Sequence, residues 1–400
     1  MRIVDGSWAL PIVLFSVSAC MSQSGAMAGS TASASGSVTT RAPSLQERVL
    51  RGRAVVLSSA CGDCHGGTTN PAADGWLLGA KTEADTFLAG NLKTYAKNLT
   101  PDMTGTGQYS ERQIFNALRY GLRPDATPDV EITSSVPGQG NFPAEPHFLA
   151  STMPWAVWRH MSDGDLWAIA AYLKHGVKPV KNAPPKSEEP ADHWRSVVEE
   201  GRAGPYPAAP HPTANETSLA TPQILRGREL VIAKACSGCH GGGPNPLAKG
   251  YLAGVMNPAE DEFQIGPFRT RPRNLTPDNT TGLGRFSERQ IFNALRYGLR
   301  PGETADVEIT STTPGQGNFP ARPKYLAPPM PWPSWRHMSD SDLWAIAAYL
   351  KQGVKPVVNR VADSEGPPDF WASGFTVERI GPYPAPAFPT ANERAPSGGN

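Results

Sequence analysis

Residues 110–124, SERQIFNALRYGLRP, recur without a change at 287–301. An uninterrupted match of this length constrains the chain more than any other feature, because two identical segments fold as copies of one unit. The surroundings repeat as well. Asn98-Leu-Thr-Pro-Asp102 returns at 274–278, residues 137–144 return at 314–321, and Met153-Pro-Trp155 returns as Met330-Pro-Trp332. Even the segment 212–216, PTANE, returns at 389–393. The offset is 175 residues from Cys61 to Cys236 and 177 from Ser110 to Ser287, so the copies differ only by small loop insertions. That period is far longer than a solenoid repeat and predicts two complete domains in tandem, 45–216 and 221–393, with the linker near 217–222.

Each unit reads as mainly α. Ser110 followed by Gln113 is a capping box, in which the hydroxyl takes the amide three residues on and the amide side chain reaches back. Ile114, Phe115 and Leu118 then share a face, and Gly121 stands where a helix ends. Ser162 with Asp165 opens a second helix, whose buried side carries Leu166, Ile169, Ala170 and Leu173. A third is predicted over 45–57. Between them run long loops, near 66–108 and 121–153. The chain holds 40 glycines and 41 prolines in 400 residues, well above the usual combined share of about 12%. Loops this long are uncommon in a compact domain, and they imply that something apolar other than protein completes the core.

The cysteines say what that is. Cys61-Gly-Asp-Cys64-His65 returns as Cys236-Ser-Gly-Cys239-His240. With five cysteines and eight histidines in the chain, chance C-x-x-C-H matches number on the order of 0.001. Two thiols one helical turn apart can add to the two vinyl groups of a haem, and the adjacent imidazole then reaches the iron, which is the pattern of c-type haem attachment. Cys61, Cys64, Cys236 and Cys239 are thus read as thioether sites for two covalent haems, with His65 and His240 as axial ligands. A zinc site needs four ligands per tetrahedron, and each motif offers three. A thioredoxin-like C-x-x-C needs a βαβ context that is missing here.

The sixth iron ligand is sought at positions equivalent in the two copies. Met103 fails against Asn279, His147 against Lys324, and His175 against Gln352. Met153/Met330, Met161/Met338 and His160/His337 remain. The first pair is preferred, because the following proline stiffens the loop that would hold the thioether. The second pair precedes a helix cap, where a hydrophobic staple is expected. The His pair follows Arg in a Trp-rich stretch and reads as surface or propionate-side. Arg119, Arg123 and Arg159 read as propionate contacts or solvated helix faces, the tryptophans as pocket wall and core.

Residues 1–19 resemble a secretory signal: Arg2 stands ahead of an apolar run at 8–17 that ends in Val-Ser-Ala-Cys20. That ending resembles a lipobox, which would make Cys20 the lipidated N-terminus, followed over 20–44 by a Ser/Ala/Gly/Thr tether. Cleavage after Ala26-Met27-Ala28, giving a soluble periplasmic protein, is the alternative. Either reading places the protein in the periplasm or cell envelope. Thirty-seven basic against 36 acidic residues leave a net charge of +1, which argues against nucleic acid as a partner.

Helix, C-x-x-C-H, wrapping loops, methionine loop and final helix together resemble a class I cytochrome c domain. The motifs N-L-T-P-D, the capped helix ending L-R-x-G, M-P-W and S-D-x-D-L over 45–182 and 221–359 are similar to those of cytochrome c subunits of membrane-bound alcohol and gluconate dehydrogenases. The resemblance implies electron transfer, one electron at a time, between a donor such as a dehydrogenase and a terminal oxidase or other cytochrome. It also implies that a small residue on the first helix, Gly52 or Gly227, lets the last helix approach near Tyr172 or Tyr349. Those subunits typically carry three haems, whereas two motifs stand here. The competing class is a di-haem enzyme, a peroxidase or a thiosulfate dehydrogenase. The former needs unlike haems, the latter often a cysteine ligand, and here every cysteine is already assigned.

Overall fold

The computed structural model describes residues 41–89, 92–150, 152–187, 204–256, 262–366 and 369–396. The signal segment, Cys20 and nearly all of the tether lie outside the described residues.

The first unit holds α1 (Leu45–Ser58), α2 (Cys61–His65), the hairpin β1 (Thr86–Ala89) and β2 (Leu92–Tyr95), α3 (Glu111–Tyr120), α4 (Trp155–Trp158) and α5 (Asp163–Ala171), which runs into a π turn at Tyr172–Gly176. The second repeats the order: α6 (Pro222–Ala233), α7 (Cys236–His240), β3 (Phe263–Ile265), β4 (Phe268–Thr270), α8 (Glu288–Tyr297), α9 (Trp332–Trp335), α10 (Asp340–Ala348) and a π turn at Tyr349–Gly353, with a short α11 (Val377–Ile380) after it. The fold is mainly helical, in two similar units. The antiparallel hairpins, each of two short strands, lie in segments read from sequence as loop.

Local chemistry places the helices where expected. Ser110 and Gln113 form the reciprocal cap of α3, Gly121 closes it at φ 71°, and α8 repeats both features. A capping box at Ser44 and Glu47, not read from the sequence, starts α1. The predicted faces are inside: Ile114, Leu118, Leu166, Ile169, Ala170 and Leu173 are buried, and Phe115 is partly so. In each unit the first and last helices cross at a glycine. A Cβ on Gly52 would stand 1.9 Å from the Ala168 carbonyl oxygen, and one on Gly227 2.0 Å from that of Ala345. Only a bare Cα allows such an approach. The N-L-T-P-D motif is a brace: Asn98 donates to the Val180 carbonyl at 2.9 Å, and Asn274 to that of Val357 at 2.8 Å.

The units pack through reciprocal contacts, in which equivalent residues make equivalent pairs across the interface. Arg51 pairs with Asp165 at 2.7 Å in its own unit and with Asp342 at 3.5 Å across the interface. Arg226 pairs with Asp342 at 2.8 Å and reaches back to Asp165 at 3.2 Å. Met161 and Met338 line one cavity of about 20 Å³ beside these charges.

The tails cross over. Glu216 ends the repeat that begins at residue 45, yet its fully buried carboxylate accepts from Arg228 and from the Tyr349 hydroxyl, both at 2.6 Å and both in the second unit. Glu393 makes the mirror bonds to Arg53 at 2.7 Å and Tyr172 at 2.5 Å in the first. Asn215 and Asn392 follow suit, donating to carbonyls of Pro246 and Pro71. The sequence repeat and the packing therefore divide the chain differently: each tail follows one unit and closes the other.

Candidate haem sites

Both C-x-x-C-H segments form a single helical turn entered through a left-handed alanine, Ala60 at φ 58° and Ala235 at φ 55°. The turn buries the first cysteine of each motif and exposes the second. The histidine that ends each turn is tethered by one ring nitrogen. His65 Nδ1 donates to the Lys97 carbonyl at 2.7 Å, and His240 Nδ1 to the Arg273 carbonyl at 2.6 Å. A backbone acceptor on Nδ1 fixes the tautomer and leaves Nε2 with its lone pair, as a metal-ligating imidazole requires. Burial lowers the pKa of both histidines, against the backbone bond. The neutral ring is therefore favoured.

The thiols are not built for redox exchange. Burial pushes the Cys61 and Cys236 thiols up to about 12, whereas a reactive C-x-x-C keeps one thiol low. None of the four is in a disulfide. A thioether removes the ionisation altogether, so this donor set fits haem attachment.

The other predicted residues separate. Met153 and Met330 are partly buried against the clusters that hold Cys61 and Cys236 respectively. Met161 and Met338 are buried members of the same two clusters and also line the shared cavity between the units. His160 and His337 are not surface groups. Their Nε2 atoms are buried with no hydrogen-bond partner, and the rings lie against Tyr206 and Tyr383 of the tails. Burial, then neighbouring arginines, hold His160 at about 4 and His337 at about 3. Arg119 and Arg159 do not solvate helix faces either: Arg119 is buried and bonded to the Arg159 carbonyl and Asp163, while buried Arg159 donates to the Gly204 carbonyl. Trp155 stacks on Phe148, and Trp167 on Phe115.

No protein-family model matches the chain. Among curated proteins, the cytochrome c subunit of gluconate 2-dehydrogenase from Pantoea cypripedii is 30% identical over 271 residues, covering 64% of this chain and 50% of that protein. The cytochrome c subunit of the quinone alcohol dehydrogenase from Gluconobacter oxydans (strain 621H) is 29% identical over 324 residues, 76% of this chain and 54% of its own. The chain is a distant homologue of these cytochrome c subunits. The fructose dehydrogenase cytochrome subunit of Gluconobacter japonicus is similar too, at 28% over 288 residues, 68% of this chain and 49% of its own. The chain spans about half the length of the curated relatives it matches. Cytochrome c homology implies covalently bound haem c and electron transfer, and the twin turns supply attachment chemistry that fits. Among the described residues no helix is long and apolar enough to cross a membrane.

Proposed function

We propose that the chain is a two-haem cytochrome c of the cell envelope. It passes electrons singly from a dehydrogenase to a respiratory acceptor and is tethered by a lipid on Cys20. The observation that carries this reading is the pair of C-x-x-C-H turns, each ending in a histidine whose Nδ1 is held on a backbone carbonyl. When bound, the haem supplies a reversible ferric/ferrous couple.

The chain's residues do the rest. Cys61, Cys64, Cys236 and Cys239 hold the groups covalently, and His65 and His240 present an oriented Nε2. Met153 and Met330 are the sixth ligands, supported by the proline that stiffens each of their loops; Met161 and Met338 also border the cavity between the units, where they pack the interface. A thioether ligand favours the reduced iron. The loops shut water out, because Trp76 and Leu77 in one unit and Tyr251 and Leu252 in the other are buried beside the motif cysteines. Internal transfer is favoured by the contact of Lys234 with Ser58 and Ser59, which brings together the chain segments leading into the two motifs.

Mass spectrometry of the mature protein, followed by spectroelectrochemical titration with and without carbon monoxide, tests the proposal. Two added haems, two one-electron waves and no CO binding are expected. A mass without haem removes the cofactor reading, and CO binding by the untreated protein removes the saturated-carrier reading in favour of an enzyme.

A further inference from the structure

Duplication supplies both haem sites with the same ligand types, so two copies of one unit would give two similar potentials. Not every charge beside them is duplicated. Lys234 ends α6, and its counterpart in the first unit is Ser59. Its side chain does not stay with its own motif. It crosses the interface, where Nζ donates to the Ser58 carbonyl at 3.0 Å, the Ser58 hydroxyl at 3.3 Å and the Ser59 hydroxyl at 2.9 Å. These oxygens close α1 immediately ahead of Cys61, so the cation also satisfies the negative end of that helix.

We propose that Lys234 of the second unit tunes the haem of the first, holding its reduction potential above the value its own ligands would set. This rests on the two-haem reading above. One electron added to that iron lowers its charge by one, and a nearby ammonium stabilises the reduced form relative to the oxidised. The other charges at the interface do not mimic the effect. Arg51 and Arg226 are mutual counterparts, as are Asp165 and Asp342, and they pair with one another. Glu229, whose counterpart is Ala54, is engaged by Arg226 at 2.7 Å and by the Ser162 amide at 2.9 Å. The first motif also carries a private carboxylate: Asp63 stands where the second motif has Gly238. It is exposed and provides a marker for that haem.

The test is a redox titration of the full-length two-haem protein and three variants, with haem content and circular dichroism recorded for each. Lys234→Gln keeps a donor for the Ser58 carbonyl and removes the charge; one wave is expected to move to lower potential, by about five- to tenfold in its ferric/ferrous ratio, while the other stays. Asp63→Asn is expected to move that same wave upward, and Lys234→Arg to leave both in place. Equal movement of both waves, movement of neither, or movement of different waves by the lysine and aspartate variants each overturns the inference. Waves that are absent altogether overturn the two-haem reading instead.

Discussion

Replacing Glu393 by alanine should loosen the first unit, although the substitution lies in the tail that follows the second. The Glu393 side chain is fully buried and its partner Arg53 only 11% exposed. The carboxylate accepts from Arg53 at 2.7 Å, the Tyr172 hydroxyl at 2.5 Å and the Thr390 amide at 3.0 Å. Alanine would strand all three donors and leave the guanidinium buried without its counter-charge. Breaking one side of a buried pair costs about 3–5 kcal/mol, a large part of the roughly 5–15 kcal/mol that stabilises a typical domain. Hydrogen exchange read by mass spectrometry, alongside urea unfolding, locates the loss. Faster exchange is expected in α1 and α5, with α6 and α10 close to wild type, and Glu216→Ala should give the reverse. Pairing Arg53→Met with Glu393→Leu should cost less than either change alone, because no buried charge is then left unpaired. Loosening of only the second unit by Glu393→Ala would refute the crossed-tail packing and the energetics built on it.

Three further outcomes are expected. Gly52→Ala should destabilise by about 1–3 kcal/mol despite a helix-propensity gain of about 1 kcal/mol, because its Cβ would lie 1.9 Å from the Ala168 oxygen and 2.8 Å from Tyr172 Cβ; a urea midpoint at or above wild type contradicts this. His160 and His337 titrate at about 4 and about 3 in the fold against an ordinary 6.5. The unfolded chain therefore binds more protons between those values, and stability falls with acid over that window by up to about 1 kcal/mol per pH unit for each. His160→Gln with His337→Gln should flatten that slope, which an unchanged pH profile of thermal unfolding would deny. Met153→Ala should open one iron, giving one CO per protein and half the weak near-infrared charge-transfer absorbance of iron–methionine sulfur. An unchanged spectrum with no CO uptake would count against Met153 as ligand.

Much of this protein is written locally. Ser110 with Gln113, Gly121 and the spacing of Leu166, Ile169 and Leu173 settle helix ends and buried faces through neighbours within a few residues. The C-x-x-C-H turn likewise places two thiols and an imidazole on one turn of chain, and the glycine at 52 needs only its own missing Cβ to admit a second helix. What the tertiary structure alone decides is which copy each residue serves. PTANE fits either unit equally well by sequence, since the Arg and Tyr that receive its glutamate are duplicated along with it. The fold resolves the choice by geometry: the first tail leads directly into α6 and closes the second unit, and the last tail returns to the first. The same duplication hides the interface, because it gives His160, Met161 and Arg119 no local pattern that separates a burying partner from solvent. Periodicity records which face of a helix is apolar; only long-range packing determines what covers it.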